Sequence, residues 1–199
     1  MSAADPASKP EDASKTETAT IAMLKAWANP VRRRVNDALA RRGFARAADL
    51  AEDLGLPANQ LSFHLRVLAD AGLVEEAPER ARDKRDRVWK QTTRSFNLGS
   101  PDDPATDARL TGAVMQGLLS DHSELVRRAA IWGEAYSRGE NPDLHGVFSM
   151  FRLWLTREEF GELTRTIMDA IHAASSLHQA GDEGVQHWDV HLIAADDQI

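Results

Sequence analysis

The side chains best equipped for chemistry in this chain are recognition groups rather than catalytic ones. Along Pro57 to Val74, PANQLSFHLRVLADAGLV, the residues Asn59, Gln60, Ser62, Phe63 and Arg66 lie off the apolar stripe of a helical repeat. Amide, hydroxyl and guanidinium groups presented by a helix are the types that read base edges or brace phosphates in a DNA major groove. The opposite side carries Leu61, Leu65 and Leu68, with Leu73 just beyond, the spacing of a buried helical stripe. Gly72 stands where a helix end needs a residue tolerant of left-handed backbone. His64 is alone in this repeat and reads as a brace within the helix packing rather than a ligand.

A second set, His187, Asp189 and His191, alternates along VQHWDVHLI. On a strand these three share one face, and imidazole with carboxylate suits Zn²⁺. Three successive same-face positions nevertheless span about 13 Å, too far to meet on one ion unaided. Trp188, Val190 and Leu192 occupy the other face, so the simpler reading is the wet side of a two-faced strand. No Ser/His/Asp or Cys/His arrangement can be specified, and GAVMQG is no phosphate cradle. The chain is therefore not expected to be an enzyme, nor to carry a metal or any cofactor.

The recognition side chains need a scaffold, and its pieces can be read in order. Residues 1–17 hold no large apolar residue after Met1 and are expected to form a disordered tail. A helix over about Thr18–Ala28 would turn Ile21 and Leu24 inward, with Trp27 and Ala28 as further candidates. Asn29-Pro30 breaks it, and Pro30 suits the first turn of a second helix running to Arg42, where a missing N–H costs nothing. That helix places Val31, Val35 and Leu39 on the core side. Arg32, Arg33, Arg34, Arg41 and Arg42 lie elsewhere around it, as phosphate contacts or as a solvated face. Ala47–Leu56 is a short helix ending at Gly55, and Leu-Pro-Ala turns the chain into the recognition helix, residues 58–71. Two short helices joined this way are the pattern of a helix-turn-helix. Two strand-like runs after it, Val74–Ala77 and Arg87–Thr93, flank PERARDKRDR, a basic hairpin or wing with Arg80, Arg82, Lys84, Arg85 and Arg87. Asp83 and Asp86 dilute that charge, so the alternative is a solvated loop; the position of the hairpin favours backbone or minor-groove contact. Val88 is a core candidate and Trp89 could pack across the hairpin.

Charge divides along the chain in the same sense. The net charge is −7, yet residues 24–94 hold 15 Lys/Arg against 10 Asp/Glu while residues 95–199 hold 7 against 17. A basic segment followed by an acidic one suggests two jobs. The absence of cysteine excludes disulfides and thiolate metal sites and fits a reducing compartment. No apolar run approaches the ~20 residues of a membrane span, and no secretory signal is visible; a cytoplasmic protein without membrane contact is expected.

Leu24 to Thr92 resembles the winged helix-turn-helix of ArsR/SmtB-type bacterial repressors. The stretches that carry the resemblance are LKAWANPVRRRV, ADLAEDLGLP and LSFHLRVLADAGLV, the last close to the family's Ser-x-His-Leu-x-x-Leu-x-x-Ala-Gly-Leu-Val. The resemblance implies a homodimer with one recognition helix per protomer on a two-fold-symmetric operator. It implies that Asn59, Gln60, Ser62, Phe63 and Arg66 face DNA. Metal sensing is disfavoured: the cysteine ligands are impossible here, and Asp121-His122 are adjacent and point to different faces. The expectation is a non-metal-sensing branch with a C-terminal extension.

Beyond the winged helix, residues 95–107 (SFNLGSPDDPATD) form a linker. From Ala108 to about Arg138, Leu110, Val114, Leu118, Leu125, Ala129, Trp132 and Tyr136 recur at helical spacing, a candidate dimerisation helix with a break conceivable near Ser120-Asp121. Val147–Leu155 alternates as a strand, and Thr156 with Glu159 opens a helix to residue 177 in capping-box form. Phe160, Leu163, Ile167, Ile171 and Ala174 form its stripe. Gly181–Gly184 is a turn, and Val185–Ile193 is a second strand. Aromatic and methionine residues in this half, Trp132, Tyr136, Met150, Phe151, Trp154, Met168 and Trp188, suit plain core or an apolar pocket for a small organic effector. The expected class is mainly α (α+β), with an N-terminal winged helix-turn-helix (18–94), a helical dimerisation segment and a small strand-helix-strand unit within 108–199. The function expected is that of a DNA-binding transcriptional regulator, a homodimeric repressor reading a palindromic operator with helix 58–71 and the basic wing. The alternative is a winged-helix module for protein–protein contact, with the acidic C-terminal half as its working surface.

Overall fold

The computed structural model describes residues 17–83, 86–92, 96–180 and 182–198. It is mostly helical with small sheets, an α+β fold whose N-terminal part is a winged helix-turn-helix. Strand β1 (Glu17–Thr18) leads to α1 (Ile21–Trp27), capped by the Thr20 hydroxyl, which accepts from the Met23 N–H. Asn29 caps α2 (Pro30–Arg42) through its side-chain oxygen, 3.1 Å from the Arg32 nitrogen, with Pro30 in the first turn. Strand β2 (Phe44–Arg46) precedes α3 (Ala47–Leu54), which Gly55 ends in left-handed backbone at φ 62°. That conformation suits glycine and lets the chain turn sharply into α4 (Ala58–Asp70). Strands β3 (Val74–Glu76) and β4 (Val88–Gln91) form the wing, and β2 completes an antiparallel sheet in the order β2-β4-β3.

The core lies between these helices and the sheet. Leu24, Val35, Leu39, Leu50, Leu61, Leu65 and Leu68 are almost wholly buried, with Leu73, Val74 and Trp89 closing the wing side. Burying side chains of this kind contributes roughly 1.5–3 kcal/mol each. Within the winged helix the expected inward residues are in place, with Trp27, Ala28 and Val31 half-buried against the core, except Ile21, which is 45% exposed; Met23 and Ala26 take the inner side of α1. In the stripe expected from Phe160 to Ala174, Phe160 is 43% exposed. Residues 1–16 of the expected tail lie outside the described residues, and Glu17 belongs to β1, pairing in parallel with Phe96 of β5 (Phe96–Asn97) inside the expected linker.

Helix α5 (Ala108–Ser137) runs unbroken for 30 residues, capped by Asp107, so the conceivable break near Ser120 is absent. A helix of that length spans about 45 Å. It buries only Val114 and Gly117. Gly117 is a close approach: a Cβ there would strike the Arg33 guanidinium. Arg33 is itself buried, donating from Nε to Asp121 at 3.0 Å and from a terminal nitrogen to the Trp27 carbonyl at 3.1 Å. Helix α6 (Arg157–Ser175) has the expected capping box, with Thr156 and Glu159 bonded reciprocally at 3.2 and 2.7 Å.

The strands expected over 147–155 and 185–193 do not form. Both stretches are irregular, and among the described residues no backbone group of 144–155 or 186–195 is paired. The alternation that marks a strand fits a pleated surface, but a strand also needs a neighbouring chain to accept its hydrogen bonds. Among the described residues no chain pairs with them.

Gly117→Val should push the Arg33 guanidinium off Asp121 and the Trp27 carbonyl. Overpacking of a tight contact costs about 1–3 kcal/mol, so the thermal midpoint followed by circular dichroism should fall by several degrees. An unchanged midpoint would show that α5 does not depend on this contact.

Candidate nucleic-acid interface

Helix α4 holds the candidate residues on one side because its other side is committed. Leu61, His64, Leu65 and Leu68 are buried, and the 3.6-residue repeat then turns Asn59, Gln60, Phe63 and Arg66 to solvent, with Ser62 half-buried. Phe63 is 56% exposed, an unusual position for a phenyl ring with no packing need. Arg66 lies along its own helix, its Nε 3.2 Å from the Ser62 carbonyl, and the Ser62 hydroxyl donates to Ala58 at 3.0 Å. Arg66, Ser62 and the wing residue Arg87 line one open cleft of about 390 Å³, together with Ala47 and Trp89. The structure thus joins helix and wing residues that are more than 20 positions apart. Arg82 is exposed on the described part of the wing, and Lys84 and Arg85 lie outside the described residues.

Much of the positive charge elsewhere is engaged inside the fold. Arg32 donates to the Ala26 and Lys25 carbonyls at 2.8 and 2.6 Å, closing the end of α1. Arg33 is the buried link to α5. Arg42 grips Asp53 with both Nε and a terminal nitrogen, the latter at 2.6 Å, and this bond lowers the Asp53 pKa. Arg80 sits 4.6 Å over the Phe44 ring. Of the α2 arginines considered for phosphate contact, Arg34 and Arg41 are the exposed pair outside such strong links. Lys90 reaches Glu75 and Glu79 at 3.3 and 3.7 Å, and Arg87 lies 3.5 Å from Glu76, a weak surface pairing that leaves its charge available.

Asp86 has a role that dilution of charge did not suggest. Its carboxylate accepts from the Arg82 backbone N–H at 3.0 Å and pairs with Arg46 at 2.8 Å. The Arg82 hydrogen bond, then the neighbouring arginines, hold this carboxyl below the usual Asp range. Arg46 precedes α3, and its own N–H donates to Asp49 at 2.8 Å. One carboxylate therefore ties the turn of the wing to the start of the helix-turn-helix. Sequence reading missed Arg46, whose partner is 40 residues away.

His64 is buried, and among the described residues neither ring nitrogen has a hydrogen-bond partner. Burial, with the Arg32 charge adding to it, pushes its pKa below the ordinary histidine value. A neutral imidazole fits this setting, and a charged one does not.

The second half gathers no comparable site. His122 of α5 stacks on His191 at 5.6 Å, and Arg128 binds Asp189 at 3.1 Å. Among the described residues no three His, Cys, Asp or Glu side chains are placed to hold a metal ion. Of the aromatic and methionine set, Trp132 and Tyr136 pack at 5.1 Å, while Met150, Phe151, Trp154 and Trp188 stand exposed rather than in a core. No described helix is long and apolar enough to cross a membrane.

Residues 28–77 match the helix-turn-helix domain family. No curated protein matches the chain. Among solved structures, the chain is similar to a transcriptional regulator homologue from Pyrococcus horikoshii OT3, at 22% identity over 51% of this chain and 88% of that one, TM-score 0.33. It is similar to the antimony-specific transcriptional repressor AntR, at 24% identity over 60% and 98%, TM-score 0.33. Apo MarR from E. coli aligns at 18% identity over 74% and 85%, TM-score 0.32.

Two outcomes follow from the local chemistry. With its pKa depressed in the fold, His64 contributes stability that is complete above about pH 6.5 and is lost as pH falls through the lower folded value. Melting should therefore come at lower temperature near pH 5 than near pH 7.5, and His64→Leu should flatten that dependence; equal slopes would reject the assignment. Separately, Asp86→Ala should speed hydrogen exchange of the Arg82 amide while leaving the core amides of α4 protected.

Proposed function

We propose that this chain is a DNA-binding transcriptional regulator of ArsR/SmtB-like type, acting as a homodimeric repressor. What supports the reading above all is the single cleft formed by Ser62 and Arg66 of α4 and Arg87 of the wing. A major groove about 12 Å wide accepts a helix such as α4, whose outer residues then reach base edges. Asn59 and Gln60 near its start supply amides, Arg66 supplies a guanidinium, and the exposed Phe63 supplies an apolar contact of the kind a thymine methyl accepts. Arg82, Lys84, Arg85 and Arg87 on the wing add phosphate or minor-groove contact, which positions the helix without itself reading sequence.

In this reading α5 of each protomer pairs with its twin, and two recognition helices lie about one helical turn of DNA apart, 34–36 Å. Residues 18–94 form the DNA-binding unit, and 108–199 carry dimerisation and response. Repression is then occlusion of a symmetric operator, altered when the second half changes the spacing of the two helices. A small organic effector would act through that spacing. The other reading, a winged helix used for protein contact, draws on the exposed apolar residues of the second half.

Salt separates the two readings, since phosphate neutralisation makes DNA affinity fall steeply as salt rises. Fluorescence anisotropy against DNA from upstream of the chain's own gene, with nonspecific competitor, should show competitor-resistant binding that weakens with salt. Arg66→Ala should cost about 1–3 kcal/mol, roughly 5- to 150-fold in affinity. Unchanged affinity in this variant would remove Arg66 from the reading face, and no binding across a tiled upstream region would favour the protein partner.

A further inference from the structure

Among the described residues, none beyond Val114 joins the winged-helix core. The C-terminal part carries a large apolar surface of its own with nothing on it. Val147, Phe151 and Trp154 are 81%, 79% and 98% exposed. Val190 and Ile193 are 66% and 63% exposed, and α6 between the two stretches buries none of its residues. An isolated helix of this length is marginal in water and is normally held by packing of its apolar face. Backbone groups of 144–155 and 186–195 are unpaired among the described residues, and unpaired, apolar, strand-type chain is a template for another chain. Contiguous exposed apolar surface on this scale marks an interaction site.

Composition and charge narrow the occupant. Residues 1–16, outside the described set, hold no large apolar side chain except Met1 and cannot cover such a surface. Within 144–155 the one charged residue is Arg152, and within 185–193 the one acid is Asp189. Asp189 is bonded to Arg128 at 3.1 Å, with Arg41 at 3.9 Å. The two stretches themselves are thus nearly uncharged, while α6 between them carries Glu158, Glu159, Glu162 and Asp169 beside Arg157 and Arg165. The stretches offer little to a strongly charged partner and do not repel their own kind. The surface is also continuous with α5. The Gly146 position abuts the Trp132 ring, whose N–H donates to the Asp143 carbonyl at 3.2 Å, and His191 stacks on His122. Both stretches thus lie along the helix assigned above to the dimer seam.

We propose that a second copy of this chain covers this surface. Residues 144–155, α6 and 185–193 of two protomers close over one another as a shared layer beside the paired α5 helices. Strand pairing that one copy lacks is supplied by the other. The inference rests on the homodimer reading and locates most of the interface beyond α5.

The test is hydrogen exchange of the full chain at several concentrations, with mass measured by light scattering on the same samples. Amides of 144–155 and 186–195 should be protected at least 100-fold at concentrations where the chain is dimeric, and lose that protection on dilution to monomer. Phe151→Glu combined with Trp154→Glu should abolish dimer and protection together; both side chains are exposed in one copy, so circular dichroism should report an intact winged helix. A dimer in which these amides exchange freely would overturn the inference and leave the homodimer reading standing. Protection that persists in the monomer would overturn it in favour of cover from the same chain. A chain monomeric at every concentration would overturn both, while anisotropy on a single operator half-site reports separately on DNA binding.

Discussion

The burial of the inner stripe of α4 is the constraint on which the remaining geometry depends. Leu61, Leu65 and Leu68 sit at most 1% exposed against Leu24, Val35, Leu39 and Leu50. At roughly 2 kcal/mol for each leucine withdrawn from water, rotation of α4 about its axis by even one residue would forfeit several kcal/mol. The helix is thereby held in one orientation, and the direction of Asn59, Gln60, Phe63 and Arg66 follows from it. His64 belongs to the buried side although it brings two ring nitrogens without partners. An orphaned polar group in a core lowers stability, so the stripe of leucines must hold the helix against that penalty.

Electrostatics then decide which charges face outward. The segment rich in arginine uses several of them as braces: Arg32 on the end of α1, Arg33 beneath α5, Arg42 on Asp53, Arg46 on the wing. A guanidinium suits such positions because its planar donors meet a carboxylate or several carbonyls at once. Net charge summed over the chain is consequently a poor guide to the surface. The cations that border the cleft are Arg66 and Arg87, which among the described residues meet a carbonyl of Arg66's own helix and a surface carboxylate respectively.

The parts of the fold legible in the sequence are those decided locally. Asn29-Pro30 announces the start of α2, Gly55 the turn before α4, Thr156 and Glu159 the start of α6, and Leu61, Leu65, Leu68 and Leu73 the inward side of α4 and of the turn after it. Each signal spans at most a dozen residues, within the reach of capping and periodicity. The wing was visible as two runs around a charged loop, but β2 was not, because Phe-Ala-Arg is too short to show alternation and takes its form from β4. Contacts between distant positions left no mark: Arg46 with Asp86, and Arg33 with Asp121, 88 residues apart. The stretches 147–155 and 185–193 have the composition of strands, yet strand formation depends on a partner that periodicity cannot supply. The outer residues of α4 were placed correctly by the same local periodicity, whereas their convergence with Arg87 depends on how the wing folds back.

The contact of Arg33 with Asp121, together with that of Arg41 with Asp189, joins the halves of the chain. Arg33 leaves α2, passes under α5 at Gly117 and ends on Asp121; Arg41, one helix face further along, approaches Asp189, which is held to α5 by Arg128. Asp37 lies among them, its carboxyl pushed up by burial and by Asp121 and Asp189 against the pull of Arg41 and Arg33. Three carboxylates and three guanidinium groups thus share one seam between α2, α5 and the C-terminal segment. A seam of this kind resists continuous deformation, because displacing any one group leaves its partner uncompensated. The seam thus fastens α5 to α2, and Val35 and Leu39 of α2 share one core with Leu61, Leu65 and Leu68 of α4. A change of packing along α5 would therefore bear on α2 through the seam, and on α4 through that shared core, without any contact to α4 itself.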